Sequence, residues 1–120
     1  VKLLYVAGPY TKPDPIINIH GAILVGMDLY ERSLFVPHIP HLTMLMHLVT
    51  PRPIDYWYDL DAQMLTRCDA FVRLPGESVG ADDEEGLARS AGIEMIAFME
   101  LPEYTQSLWT QRDARARVWL

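Results

Sequence analysis

The chain has 120 residues, half of them hydrophobic, and a net charge of −6; it is long enough for a single globular domain, residues 1–120, with a core of its own. The acidic balance excludes a protein that grips polymeric nucleic acid through a basic face. The absence of an apolar run near about 20 residues excludes a membrane-spanning helix. The one cysteine, Cys68, leaves no internal disulfide or cysteine metal cluster and fits a reducing, cytoplasmic setting. The apolar run Leu3 to Ala7 is too short for a signal peptide, and a start at Val1 rather than Met points to trimming or processing.

In chain order, Lys2 to Ala7 reads as a buried strand that stops at the turn signal Gly8-Pro9. Pro13, Asp14 and Pro15 precede a helical pattern with Ile19, Ala22, Ile23, Gly26 and Tyr30 on one face, and Ser33 marks its exit. Leu34 to Val36 reads as a second strand. Pro37 to His41 is expected to be a loop, because two prolines oppose regular structure, followed by a short helix over about Leu42 to Val49. Asp55 to Arg67 reads as a helix with Leu60, Met64 and Cys68 inward. Ala70 to Leu74 is a third strand, Asp83 to Ala91 a helix closed by Gly92, and Met95 to Met99 a fourth strand. A last helix is expected over about Glu103 to Arg115. Arg112, Arg115 and Arg117 on it read as a solvated face.

Short strands, apolar on both faces and alternating with helices, define an α/β class. The expected architecture is a compact, doubly wound parallel sheet of four or five strands flanked by helices, flavodoxin- or Rossmann-like. In such a sheet small ligands bind in the loops that leave the carboxyl ends of the strands. The stretch Leu74 to Ala88 is such a loop, broken by Gly76 and Gly80 and running into four consecutive acids, Asp82 to Glu85. Glu84 and the first loop, Gly8 to Thr11, would then come from neighbouring strand ends. A carboxylate there can attack a sugar carbon while a second acid protonates the leaving group, and Glu84 with Asp61 offers such a pair. The alternative for Glu84 is a surface charge favouring the helix dipole, and for Asp61 a solvated helix acid. Asp69 reads as a structural hydrogen-bonding group at a strand start.

Four pieces together resemble the nucleoside 2-deoxyribosyltransferase superfamily, including its nucleotide N-hydrolase branch and small phage and bacterial relatives, over about residues 2 to 99. They are Tyr5-Val6-Ala7-Gly8-Pro9-Tyr10; Asp61 with Asp69 eight residues on; Gly80-Ala81-Asp82-Asp83-Glu84; and Ala88, four residues past that glutamate. The resemblance implies that Glu84 is the nucleophile attacking C1′ of the sugar, that Asp61 contacts the nucleobase and helps it leave, and that Tyr5 orients Glu84 through its hydroxyl. Tyr5 also reads as a plain core aromatic. Gly8, Pro9, Tyr10, Ser78, Gly80 and His38 are the expected substrate-binding positions.

The family's nucleoside transferases carry an aspartate six residues before the glutamate, and this chain has Ser78 there, as the nucleotide hydrolases do. A carboxylate at that point would repel a 5′-phosphate, whereas a hydroxyl and nearby amides donate to one. Ser78 as a cap of the following turn is the competing reading, Glu77 is a departure, and Pro9-Tyr10-Thr11-Lys12 replaces the usual glycine-rich phosphate loop. His38 and His41 lack a third ligand for a metal, and the resemblance implies no metal or cofactor. Tyr56, Trp57 and Tyr58 suit either base stacking or packing. The expected function is hydrolysis of the base–sugar bond of a (deoxy)ribonucleoside 5′-monophosphate. The alternatives are base exchange by a deoxyribosyltransferase and a non-catalytic nucleotide-binding module. The resemblance also implies a homodimer or higher assembly, for which Met44-Leu45-Met46 offers an apolar surface.

Overall fold

The computed structural model describes residues 1–119. Its elements are β1 (Lys2–Ala7), α1 (Pro15–Glu31), β2 (Phe35–His38), a 3-10 turn (Pro40–Leu42), α2 (Thr43–Val49), α3 (Ile54–Leu65), β3 (Ala70–Arg73), α4 (Val79–Ser90), β4 (Glu94–Ile96), a second 3-10 turn (Phe98–Glu100), α5 (Glu103–Thr110) and α6 (Arg112–Trp119). The four strands form one parallel sheet in the order β2-β1-β3-β4. This is a doubly wound α/β fold.

Strand alternation sorts the core into two layers. Leu4 and Val6 of β1, with Ala70, Val72 and Leu74, face α1 and α5, where Ala22, Val25, Leu29, Leu108 and Trp109 close over them. Tyr5, Ala7 and Phe71 point the other way, against Leu65 of α3 and Ala88 of α4. The chain winds outward from β1 to β2, then returns across β1 to β3 and winds outward again to β4. Right-handed crossovers in opposite directions put α1 and α4 on opposite faces. The order reverses between β1 and β3, and their carboxyl ends open a crevice there.

Several boundaries differ from the sequence reading. Pro37 and His38 are not loop residues: they belong to β2, with Pro37 opposite Leu4. As an edge strand, β2 does not need every backbone N–H in the ladder, so proline is tolerated. α4 starts at Val79, four residues before Asp83, because the Ser78 side chain accepts from Ala81 N at 3.1 Å and caps it. The fourth strand ends at Ile96, and Phe98–Glu100 is a 3-10 turn in which the Glu100 carboxylate accepts from Ala97 N at 2.9 Å. The last helix breaks at Gln111. On α1 the buried stripe runs through Asn18, Gly21, Ala22, Val25, Gly26 and Leu29, leaving Tyr30 exposed. On α3 the fully buried residues are Trp57 and Leu65 rather than Leu60 and Met64. Arg112 is not solvated but turned inward to Asn18. Among the described residues no helix is long and apolar enough to cross a membrane.

Candidate active site

Three segments converge on the crevice between β1 and β3. The first loop, after β1, supplies Gly8, Tyr10, Thr11 and Lys12. The loop after β3 and the start of α4 supply Glu77, Ser78, Val79, Gly80, Ala81 and Glu84. The third wall comes from Pro40 and His41, Met44 of α2, and Ile54, Trp57, Tyr58 and Asp61 of α3. Together they enclose a pocket of about 410 Å³, within the range of small-molecule sites, about 300–1,000 Å³.

The two loops touch because one residue between them lacks a side chain. Gly76 has φ of +135°, and a Cβ there would lie 2.5 Å from Pro9 Cγ, so any other residue would be strained and would push the loops apart. Arg73, at the end of β3, ties this loop to α4. Its guanidinium donates to the Gly76 carbonyl at 2.7 Å and to Asp82 Oδ1 at 2.7 Å. Asp82 therefore serves the loop and not the pocket.

Glu84 lies in the second turn of α4, one helical turn before the buried Ala88 that seats this face against β1 and β3. That places its carboxylate over Tyr5, whose hydroxyl donates to Glu84 Oε2. Tyr5 is fully buried, stacked on Phe71 at 5.9 Å between ring centroids, with the His38 ring at 5.2 Å. Asp61 reaches the same pocket from α3, and Thr43 Oγ1 donates to its Oδ1 at 2.8 Å.

Both carboxyls hold their protons more tightly than free side chains. Burial pushes Glu84 up to about 7; the Tyr5 hydrogen bond opposes this, the Asp61 charge adds to it, and Arg73 offsets part. Burial likewise pushes Asp61 up to about 6, against the Thr43 hydrogen bond. The Tyr5 hydroxyl is raised by burial and by the negative charges of Glu84 and Asp61, so it remains a donor. An acid pair whose pKa values lie near neutrality inside one pocket is suited to proton transfer.

The structure brings Glu84, Asp61, Gly8, Tyr10, Ser78 and Gly80 into the pocket wall, with Tyr5 directly behind Glu84. Pro9 and His38 do not line it. Pro9 instead offers its carbonyl to His41, whose Nε2 lies 2.9 Å away and must carry the proton, since a carbonyl only accepts. His38 packs behind Tyr5, and burial lowers its affinity for a proton. Asp69 is structural: its Oδ2 accepts from Leu3 N at 2.8 Å. Sequence reasoning missed Thr43 and Arg73, whose partners lie 18 and 9 residues away and which belong to no motif. Among the described residues no three His, Cys, Asp or Glu side chains are grouped as a metal would require. No family model, curated protein or solved structure matches the chain.

Proposed function

We propose that the protein is an N-glycosidase that hydrolyses the base–sugar bond of a (deoxy)ribonucleoside 5′-monophosphate. The observation that carries this reading is the Tyr5–Glu84 hydrogen bond in a pocket that also holds Asp61. Tyr5 fixes one Glu84 oxygen and leaves the other free to attack C1′. The C1′–N bond breaks as the C1′–O bond to Glu84 forms, and the electron pair goes to the base nitrogen, which takes a proton from Asp61. Water then attacks C1′ and frees Glu84, with Asp61 accepting the water's proton.

The pocket walls support a nucleotide. Tyr10, Trp57, Tyr58, Met44 and Ile54 form an apolar, aromatic lining that suits a flat heterocycle. The free amides at the start of α4, the Ser78 hydroxyl and Lys12 offer donors to a phosphate. The two readings of Ser78 are compatible: its oxygen caps α4, and its own hydroxyl proton could still donate to a phosphate. A homodimer belongs to the same proposal. Leu45, Leu48, Val49, Ile54 and Tyr56 leave an apolar face exposed on α2 and α3, next to the pocket wall, and sedimentation analysis measures whether it pairs.

A panel of nucleoside monophosphates and nucleosides, assayed for free base, tests the activity. Release from monophosphates is expected, lost by about 10³-fold or more in Glu84→Gln. Product only when a second base is added would establish base exchange instead, and tight binding without product would establish a binding module; either overturns hydrolysis.

A further inference from the structure

Asn18 is fully buried on α1 and belongs to none of the motifs of the site. Its side-chain amide donates to two carbonyls of the first pocket loop, Tyr10 O at 2.9 Å and Lys12 O at 2.8 Å. Its oxygen accepts from Arg112 Nε of α6 at 2.9 Å. The orientation of the amide follows from its partners, because carbonyls only accept and a guanidinium only donates.

Arg112 is held in turn. Its guanidinium lies 3.8 Å from the centroid of the Trp109 ring and donates to the Trp109 carbonyl at 3.0 Å. Trp109, also buried, donates from Nε1 to the Pro75 carbonyl at 2.9 Å, so the same helical pair reaches the second pocket loop. Gly21 makes the approach possible: a Cβ there would lie 2.8 Å from Arg112 Cδ and 2.9 Å from Trp109 Cε3. None of these side chains other than the loop residues themselves lines the pocket.

We infer that Asn18, Arg112 and Trp109 form a clamp in which the C-terminal helices fix both pocket loops from beneath, with Asn18 the positioning residue for Tyr10, Thr11 and Lys12. The loop can bind ligand tightly only if its order is established before binding, since ordering it during binding costs affinity. The clamp therefore sets KM more than kcat. This consequence rests on the nucleotide-hydrolase reading; the order of the loops does not.

Two variants test the clamp in the full chain. Asn18→Asp keeps the shape and the Arg112 partner but removes both donors to the loop. Arg112→Met keeps the aliphatic stem against Trp109 and Gly21 and removes the guanidinium, so it serves where Asn18→Asp does not fold. Backbone ¹⁵N relaxation reads the amides of residues 10–12, Leu74 and Gly76 directly. The expected result is a fall in order at residues 10–12 in both variants, with β1 and β3 unchanged and, where base release is measured, KM raised about tenfold and kcat within twofold. Unchanged order at residues 10–12 in the folded variants overturns the clamp. Loosened loops with unchanged KM overturn the positioning role. If the parent protein releases no base from any nucleotide, the hydrolase reading fails, and the relaxation data alone decide the clamp.

Discussion

A buried tyrosine hydroxyl beside a carboxylate biases that carboxylate toward its charged form. At Glu84 this bias opposes burial, which still leaves the group near 7, above Asp61 near 6. Glycosidic cleavage needs the opposite order, with Glu84 ionised and Asp61 protonated, so the productive form is the minor one in the free site. The two groups titrate as a pair, and a bell-shaped rate profile is expected with limbs near 6 and 7. Tyr5→Phe removes the one hydrogen bond to Glu84 that favours its ionised form among the described residues, and the pKa of Glu84 rises. The alkaline limb then moves up by about one pH unit, and the maximal rate falls about tenfold as the productive form becomes scarcer. The kcat/KM profile of Tyr5→Phe measures both. A lowered rate with an unmoved alkaline limb would mean that Tyr5 acts on packing alone.

At the scale of elements, the start of α4 is capped by a residue to which the proposed function gives a second role. Ser78 Oγ satisfies Ala81 N, and substituting an N-cap serine by alanine costs about 1 kcal/mol. Aspartate caps as well as serine does, so Ser78→Asp separates the roles. The expected outcome is a melting temperature close to that of the parent, KM for a monophosphate raised at least tenfold by charge repulsion, and the corresponding nucleoside little affected. Ser78→Ala should instead lose stability with a smaller effect on substrate choice; thermal melts paired with kinetics on both substrates decide it. The sequence made some elements legible and not others for physical reasons. β1 and β3 are short, apolar and closed by turn residues, so they stand out. The helical period places α1, but Asn18 and Gly21 on its buried stripe do not look like core residues until the loop carbonyls and Trp109 they serve are in place. Asp82 to Glu85 drew the helix start too late because a run of acids imitates a first turn, whereas the cap lies at Ser78. The Glu84–Tyr5 approach was legible only through resemblance, since 79 residues separate the pair.

For the molecule as a whole, burying two carboxyls in one pocket costs stability at neutral pH. The folded pKa of Glu84, about 7, lies above its ordinary value of 4.5. Between those values the folded state binds more protons than the unfolded state, so the contribution of Glu84 to unfolding free energy falls as pH rises. Below about 4.5 the group is protonated in both states and costs nothing; above about 7 the full cost is present. At about 1.4 kcal/mol per pH unit, the interval from 4.5 to about 7 sums to about 3 kcal/mol. Asp61 acts with the same sign between 3.8 and about 6. His38 and His41 act with the opposite sign: burial lowers their pKa values from 6.5, so they remove stability as pH falls. The parent protein alone therefore shows a blurred profile, and the comparison with Glu84→Gln isolates the carboxyl. Glutamine keeps the size and an oxygen that accepts from Tyr5, but never ionises. Urea unfolding of both proteins is expected to give nearly equal midpoints at pH 4.5. The variant should become progressively more stable than the parent through pH 7, by up to about 3 kcal/mol, with a constant difference above that. A difference that does not vary with pH would show that Glu84 is not held in the desolvated site on which the proposed chemistry depends.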